Sequence, residues 1–94
     1  MFTYIGLIKL LPDGLEHLDE APKYLEKMTK IIEEEGGKLE GTWAIMGPWD
    51  FMSLVKYPDN ETAFRVLAKI GKLEVIKTET FPAEPVDVFM KALV

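Results

Sequence analysis

The sequence predicts an α+β sandwich in which four antiparallel strands and two helices follow one another as β-α-β-β-α-β, with a short helix after the last strand. Three observations carry this expectation. Apolar runs of strand length alternate with two stretches whose apolar residues recur at helical spacing. Glycine and proline mark the boundaries between them. The segment Met46-Gly47-Pro48-Trp49-Asp50-Phe51 sets a tight turn between two of the strand-like runs, so the second and third strands read as a hairpin.

Residues 2–11 are rich in β-branched and aromatic side chains and carry one charge, Lys9, as a buried central strand does. Pro12-Asp13-Gly14 ends the run, and residues 14–20 suit one irregular helical turn. In residues 21–35 Leu25, Met28, Ile31 and Ile32 share one side, Pro22 fits the first turn, and Gly36-Gly37 supplies a left-handed stop. Residues 38–46 form the second strand, with Leu39, Gly41, Trp43 and Ile45 expected on one face and Glu40, Thr42, Ala44 and Met46 on the other. Residues 51–57 form the third strand. Pro58-Asp59-Asn60-Glu61 caps a second helix whose stripe is Ala63, Val66, Leu67 and Ile70, with Gly71 as the expected terminator. Residues 73–81 make the fourth strand, and Pro85 opens a short helix with Val86, Phe89, Met90 and Leu93 on one side.

Right-handed crossovers then leave the ferredoxin-like arrangement, a four-stranded antiparallel sheet in order 4-1-3-2 with both helices on one face. The first strand is apolar on both parities, with Ile5 and Leu7 beside Tyr4 and Ile8, so the uncovered face also carries apolar side chains. A large patch of this kind is rarely left to water. The expectation is a homo-oligomer, a dimer at least, with sheets facing each other and Lys9 and Glu79 of both chains near one interior.

Ninety-four residues suffice for one domain, taken as 1–94, with a single core. Eleven Lys and Arg against 16 Asp and Glu, with one isolated arginine, argue against nucleic acid as a partner. No apolar run is long enough to span a membrane and no leader pattern opens the chain, so an unprocessed protein with no membrane partner is expected. The absence of cysteine removes disulfides and thiol chemistry and fits a cytoplasmic location. The dominance of Lys and Glu, with no glutamine and one asparagine, is a bias seen in proteins from hot environments, against which the five methionines weigh.

Taken in order, Lys9-Leu10, Gly36-Gly37-Lys38, the Trp43 strand, the turn from Gly47 to Asp50, Pro58-Asp59-Asn60-Glu61-Thr62 and Thr78-Glu79-Thr80 resemble the GYD domain proteins. That family is named for a Gly-Tyr-Asp signature at the hairpin turn. The resemblance covers nearly the whole chain and implies a dimeric α/β-barrel type of assembly, with no one biochemical activity attached. Trp49 stands where the signature has tyrosine and Pro48 precedes it, so a role for the phenol hydroxyl does not carry over.

Asp50 and Trp49 suit either a pocket, with the carboxylate holding a polar group against the indole, or a turn in which Asp50 accepts backbone N–H groups. The structural role is preferred, with Gly47 and Pro48 as the turn formers. Thr78, Glu79 and Thr80 are polar for a strand in a small sheet, and an ion pair of Lys9 with Glu79 inside a dimer would make a polar ligand site; edge protection is the competing and preferred explanation. Trp43 completes the tentative ligand-binding set of Lys9, Trp43, Trp49, Asp50, Thr78, Glu79 and Thr80. His17, the lone histidine, lies in a polar segment and reads as solvated, and the methionines as core fillers, so no metal and no cofactor is expected. No phosphate loop, nucleophile elbow or Ser-His or Cys-His pairing supports catalysis. The resulting reading is a non-enzymatic binding or sensor module with a small molecule between paired sheets. A cofactor-independent dimeric-barrel monooxygenase or isomerase and a structural interaction domain stay open as alternatives.

Overall fold

β1 (Phe2–Leu10) lies inside the sheet, antiparallel to β3 (Phe51–Tyr57) on one side and β4 (Ile76–Ala83) on the other, in a computed structural model that describes residues 1–94. β2 (Lys38–Ala44) adds to the far side of β3, giving the order β2-β3-β1-β4, the predicted ferredoxin-like order read from the opposite edge. Two helices, α2 (Ala21–Glu34) and α3 (Asn60–Ile70), cover one face. A short α1 (Pro12–Glu16) and a 3-10 turn at Leu18–Glu20 fill the expected irregular stretch before α2, and α4 (Val86–Lys91) ends the order of elements.

The core follows the predicted stripes. Met28 and Ile32 of α2 and Ala63, Val66 and Ile70 of α3 pack on Tyr4, Ile8, Leu10, Val55, Tyr57 and Ile76, with Leu25 and Ile31 partly buried at the margin. Asp59 caps α3: its Oδ1 accepts from the Thr62 backbone N–H and from the Thr62 hydroxyl, each at 2.7 Å. Those hydrogen bonds, first the hydroxyl and then the N–H, hold the Asp59 carboxyl below the usual carboxylate range. Glu35 at the end of α2 receives Lys69 and Arg65 from α3, and the Lys69 contact above all lowers its carboxyl pKa.

Gly36 takes φ +91 and closes α2, as expected of a left-handed stop. Gly37 has a different reason to be glycine: a Cβ there would sit 2.7 Å from the Tyr57 ring and 2.9 Å from Ile32. α3 ends at Ile70 with Gly71 as its C-cap, as expected, but without a left-handed glycine. Gly71 keeps φ −58, the chain tightens into a 3-10 turn at Gly71–Leu73, and Glu74 takes the left-handed conformation at φ 58. That extra turn delays β4 to Ile76 and carries it on through Pro82, a residue admissible because β4 is an edge.

The second strand also departs from simple alternation. A bulge between Leu39 and Gly41 puts Leu39 opposite Val55 on the helix-covered side, whereas Trp43 lies opposite Met52 on the other. One unpaired residue thus lets Leu39 fill the core without pulling Trp43 in with it. The strand closes at Ala44, short of the expected Met46.

The Gly37 contact yields a direct expectation. Gly37→Ala should destabilise the protein by about 1–3 kcal/mol in a denaturant titration, because the methyl group must displace a packed ring. Gly71→Ala, with ordinary φ and open space, should stay within about 0.5 kcal/mol.

Candidate functional site

Alternation along the strands sorts the sheet into two faces of different chemistry. On the face without helices, cross-strand register aligns Trp43, Met52, Leu7 and Glu79 in one row and Gly41, Leu54, Ile5 and Phe81 in the next. The Trp43 ring folds back over Gly41, where a Cβ would lie 2.8 Å from a ring carbon. Six large apolar side chains therefore adjoin one another on a surface that no helix of the same chain covers. Trp43 and Phe81 are nearly half exposed, at 48% and 46%.

Lys9 and Lys77 stand opposite each other at one end of that face. Within the protomer Glu79 lies across from Leu7, and the Lys9 ammonium donates to the Pro48 carbonyl at 2.8 Å. The signature turn is thereby tied to β1 from two directions. Asp50 Oδ2 accepts from the Leu10 backbone N–H at 2.8 Å, and the Asp50 N–H donates to the Ile8 carbonyl at 2.9 Å. Asp50 thus accepts a backbone N–H, as its structural reading had it, but from the neighbouring strand rather than from its own turn. Gly47 supplies φ +108, Pro48 follows it, and Trp49 is half-buried beside them.

Thr78 and Thr80 project to the opposite side from Glu79, under the helices. There a row of small or hydroxylated residues, Thr42, Ser53, Gly6 and Thr80, crosses the whole sheet. Thr42 and Ser53 share a hydrogen bond at 3.0 Å. Gly6 leaves a hollow of about 30 Å³ below Met28, Leu67 and Ile70, room for a water molecule. A second hollow, of about 200 Å³, opens between α3 and the edge of β4 and shares Tyr4, Leu67 and Thr80 with the first. At its rim the Tyr4 hydroxyl donates to Asn60 Oδ1. The Tyr4 and Tyr57 rings meet edge-on at 5.3 Å, and burial, with Tyr4 as a lesser cause, pushes the Tyr57 phenol up to about 12.

The tentative ligand set is therefore split. Lys9, Trp43 and Glu79 share the open face, Trp49 and Asp50 belong to the turn at its end, and Thr78 and Thr80 lie beneath the helices. His17 is exposed between α1 and the 3-10 turn. Sequence reasoning passed over Gly6, Ser53, Tyr4 and Asn60; the signal available for the first was a glycine in the middle of an otherwise bulky strand.

A four-stranded sheet with helices on one side, an apolar face on the other and a lysine-tied hairpin turn defines a small ferredoxin-like α/β protein. The chain belongs to the GYD domain family, whose model matches residues 4–93. It is 31% identical over 87 residues to the glutamine synthetase and cystathionine beta-lyase binding protein of Thermus thermophilus, covering 92% of each chain. Among solved structures, a Thermus thermophilus protein superposes with TM-score 0.61 at 24% identity, covering 90% of this chain and 95% of that one. The feast or famine regulatory protein of M. tuberculosis complexed with L-methionine gives 0.66 at 19%, over 90% of this chain and 51% of that one. Ribosomal protein S6 of Thermotoga maritima gives 0.65 at 20%, over 98% and 94%. The solved structures share the fold with this chain.

Asp50→Ala should cost about 1–2 kcal/mol of stability, since it leaves the Leu10 N–H without its acceptor; an unchanged denaturation midpoint would remove the cross-strand tie from the account. For Tyr57 the sign runs toward alkaline loss. The unfolded phenol ionises near pH 10 and the folded one near 12, so stability present below about pH 10 declines between the two. Tyr57→Phe should flatten that part of the stability profile, as read by unfolding curves from pH 9 to about 12.

Proposed function

We propose that the protein is a non-catalytic binding module that works as a homo-oligomer, with two open sheet faces packed against each other around a small-molecule site. The observation that carries this reading is the uninterrupted apolar surface of Ile5, Leu7, Trp43, Met52, Leu54 and Phe81, aligned in register over four strands. Face-to-face sheets pack roughly 10 Å apart, which buries such rows. Lys9, Lys77 and Glu79 then supply polar contacts at one end of an otherwise apolar space. The mycobacterial regulator, about half of whose chain shares this fold, is complexed with L-methionine, which supports a small-molecule role for proteins that contain it.

A second reading takes the partner to be another protein. The Thermus thermophilus relative is named for binding glutamine synthetase and cystathionine beta-lyase, and the hollows of this protomer lie on the helix side, leaving the open face as a broad surface. Under either reading the open face is the working surface.

Leu7 sits at the centre of that face, so Leu7→Asp should convert the oligomer to a monomer in sedimentation at micromolar concentration while helix content is retained. A wild-type monomer would overturn the paired-sheet reading. A small molecule found by native mass spectrometry on protein purified from its own host, and lost in Leu7→Asp, would support the ligand site over the protein partner.

A further inference from the structure

After β4 the chain leaves the sandwich. Pro85 is extended, at φ −54 and ψ 144, and α4 follows it. Helical spacing puts Val86, Phe89, Met90 and Leu93 on one side of that segment and Asp87 and Lys91 on another, yet the four apolar side chains are each more than half exposed. The molecule measures 50 × 30 × 17 Å, an elongated shape for 94 residues. An amphipathic segment that turns its apolar side to water on its own chain is built to lie against another surface.

The same chain offers a concave counterpart. The hollow of about 200 Å³ between α3 and β4 has Leu67 at its base, Tyr4, Asn60 and Thr80 around its polar rim, and Phe64 and Pro82 as outer walls. Phe64 is 71% exposed and stands outside the buried stripe of α3, so packing within the protomer does not account for it. No charged side chain lines the hollow, and its volume suits a phenyl or thioether group.

We propose that α4 of a second copy seats in this groove, Phe89 against Phe64 and Leu67, and that the exchange is reciprocal. The occupant follows from where the two features lie. Pro82 is both a wall of the groove and the next-to-last residue of β4, so the arm that follows β4 begins near the lip of the groove it would fill in its partner. A two-fold axis close to that lip carries each arm a short distance into the other copy. Pro85 is held extended between β4 and α4, and no residue of α4 lines the groove of its own chain. Four arm side chains and two groove side chains at roughly 100 Å² each, counted for both arms, bury about 1,200 Å², the lower end of a specific interface. This contact uses the helix side and the β4 edge, so it is separate from the open sheet face and adds a second association step.

Cross-linking is clean because the chain has no cysteine. Phe64→Cys protein mixed with Phe89→Cys protein under mild oxidation should give disulfide-linked pairs at least about fivefold faster than Phe89→Cys mixed with Lys30→Cys, whose site is exposed on α2. In sedimentation, the Phe89→Ser, Met90→Ser double variant should lose one association step with its circular dichroism unchanged. Leu7→Asp should leave the 64-to-89 cross-link intact, which separates this contact from the paired sheets. A cross-linking rate no higher than the control overturns the proposal. So does a 64-to-89 bond within single chains of the double-cysteine variant, faster linking of Phe89→Cys to Leu54→Cys on the open face, a small molecule in the groove, or undiminished assembly of the serine variant.

Discussion

The two-sided character of β1 is the constraint on which the rest of the molecule depends. Tyr4, Ile8 and Leu10 face the helices and Ile5 and Leu7 face away, so one inner strand needs apolar partners above and below. Two helices meet the first demand. The second passes outward to β3, where Met52 and Leu54 lie beside Leu7 and Ile5, and then to Trp43 and Phe81 on the flanking strands. The open face is the continuation of a pattern set in the inner strand, and the surface available for binding follows from it.

Most of this architecture was legible because its signals are periodic. The stripes at Met28 and Ile32 and at Ala63, Val66 and Ile70 are spaced as helices require, and the run of residues 51–57 became β3 without adjustment. The boundaries that failed share a cause: each depends on a local conformation that several residue types can adopt. Glu74 took the left-handed position that glycine usually holds, and a single bulge reversed the parity of β2 at Leu39. Neither leaves a mark in composition or spacing.

The candidate site was less legible, for a related reason. Thr78, Glu79 and Thr80 are adjacent in sequence and were read together, but a strand sends neighbours to opposite faces, and the two threonines ended under the helices. Lys9 and Glu79 attract by charge, but within the protomer register sets Lys9 beside Lys77 and its ammonium meets the Pro48 carbonyl. Charge says which groups attract; only register says which ones meet. Asp50 accepts a backbone N–H as a turn aspartate does, though its partner came from 40 positions away.

The bulge in β2 makes the strand a two-part device. Upstream of it Leu39 belongs to the core, and downstream of it Trp43 belongs to the outer surface, with one unpaired position between them. Paired one for one without the bulge, the same residues would alternate strictly, and either the tryptophan would turn inward against Ser53 and Gly6 or the leucine would turn out of the core. The two faces of this strand therefore depend on the bulge, not on alternation alone. A single-codon deletion between Leu39 and Trp43 would take the bulge away and leave inside and outside as they are, whereas flattening the bulge at the present length would exchange them.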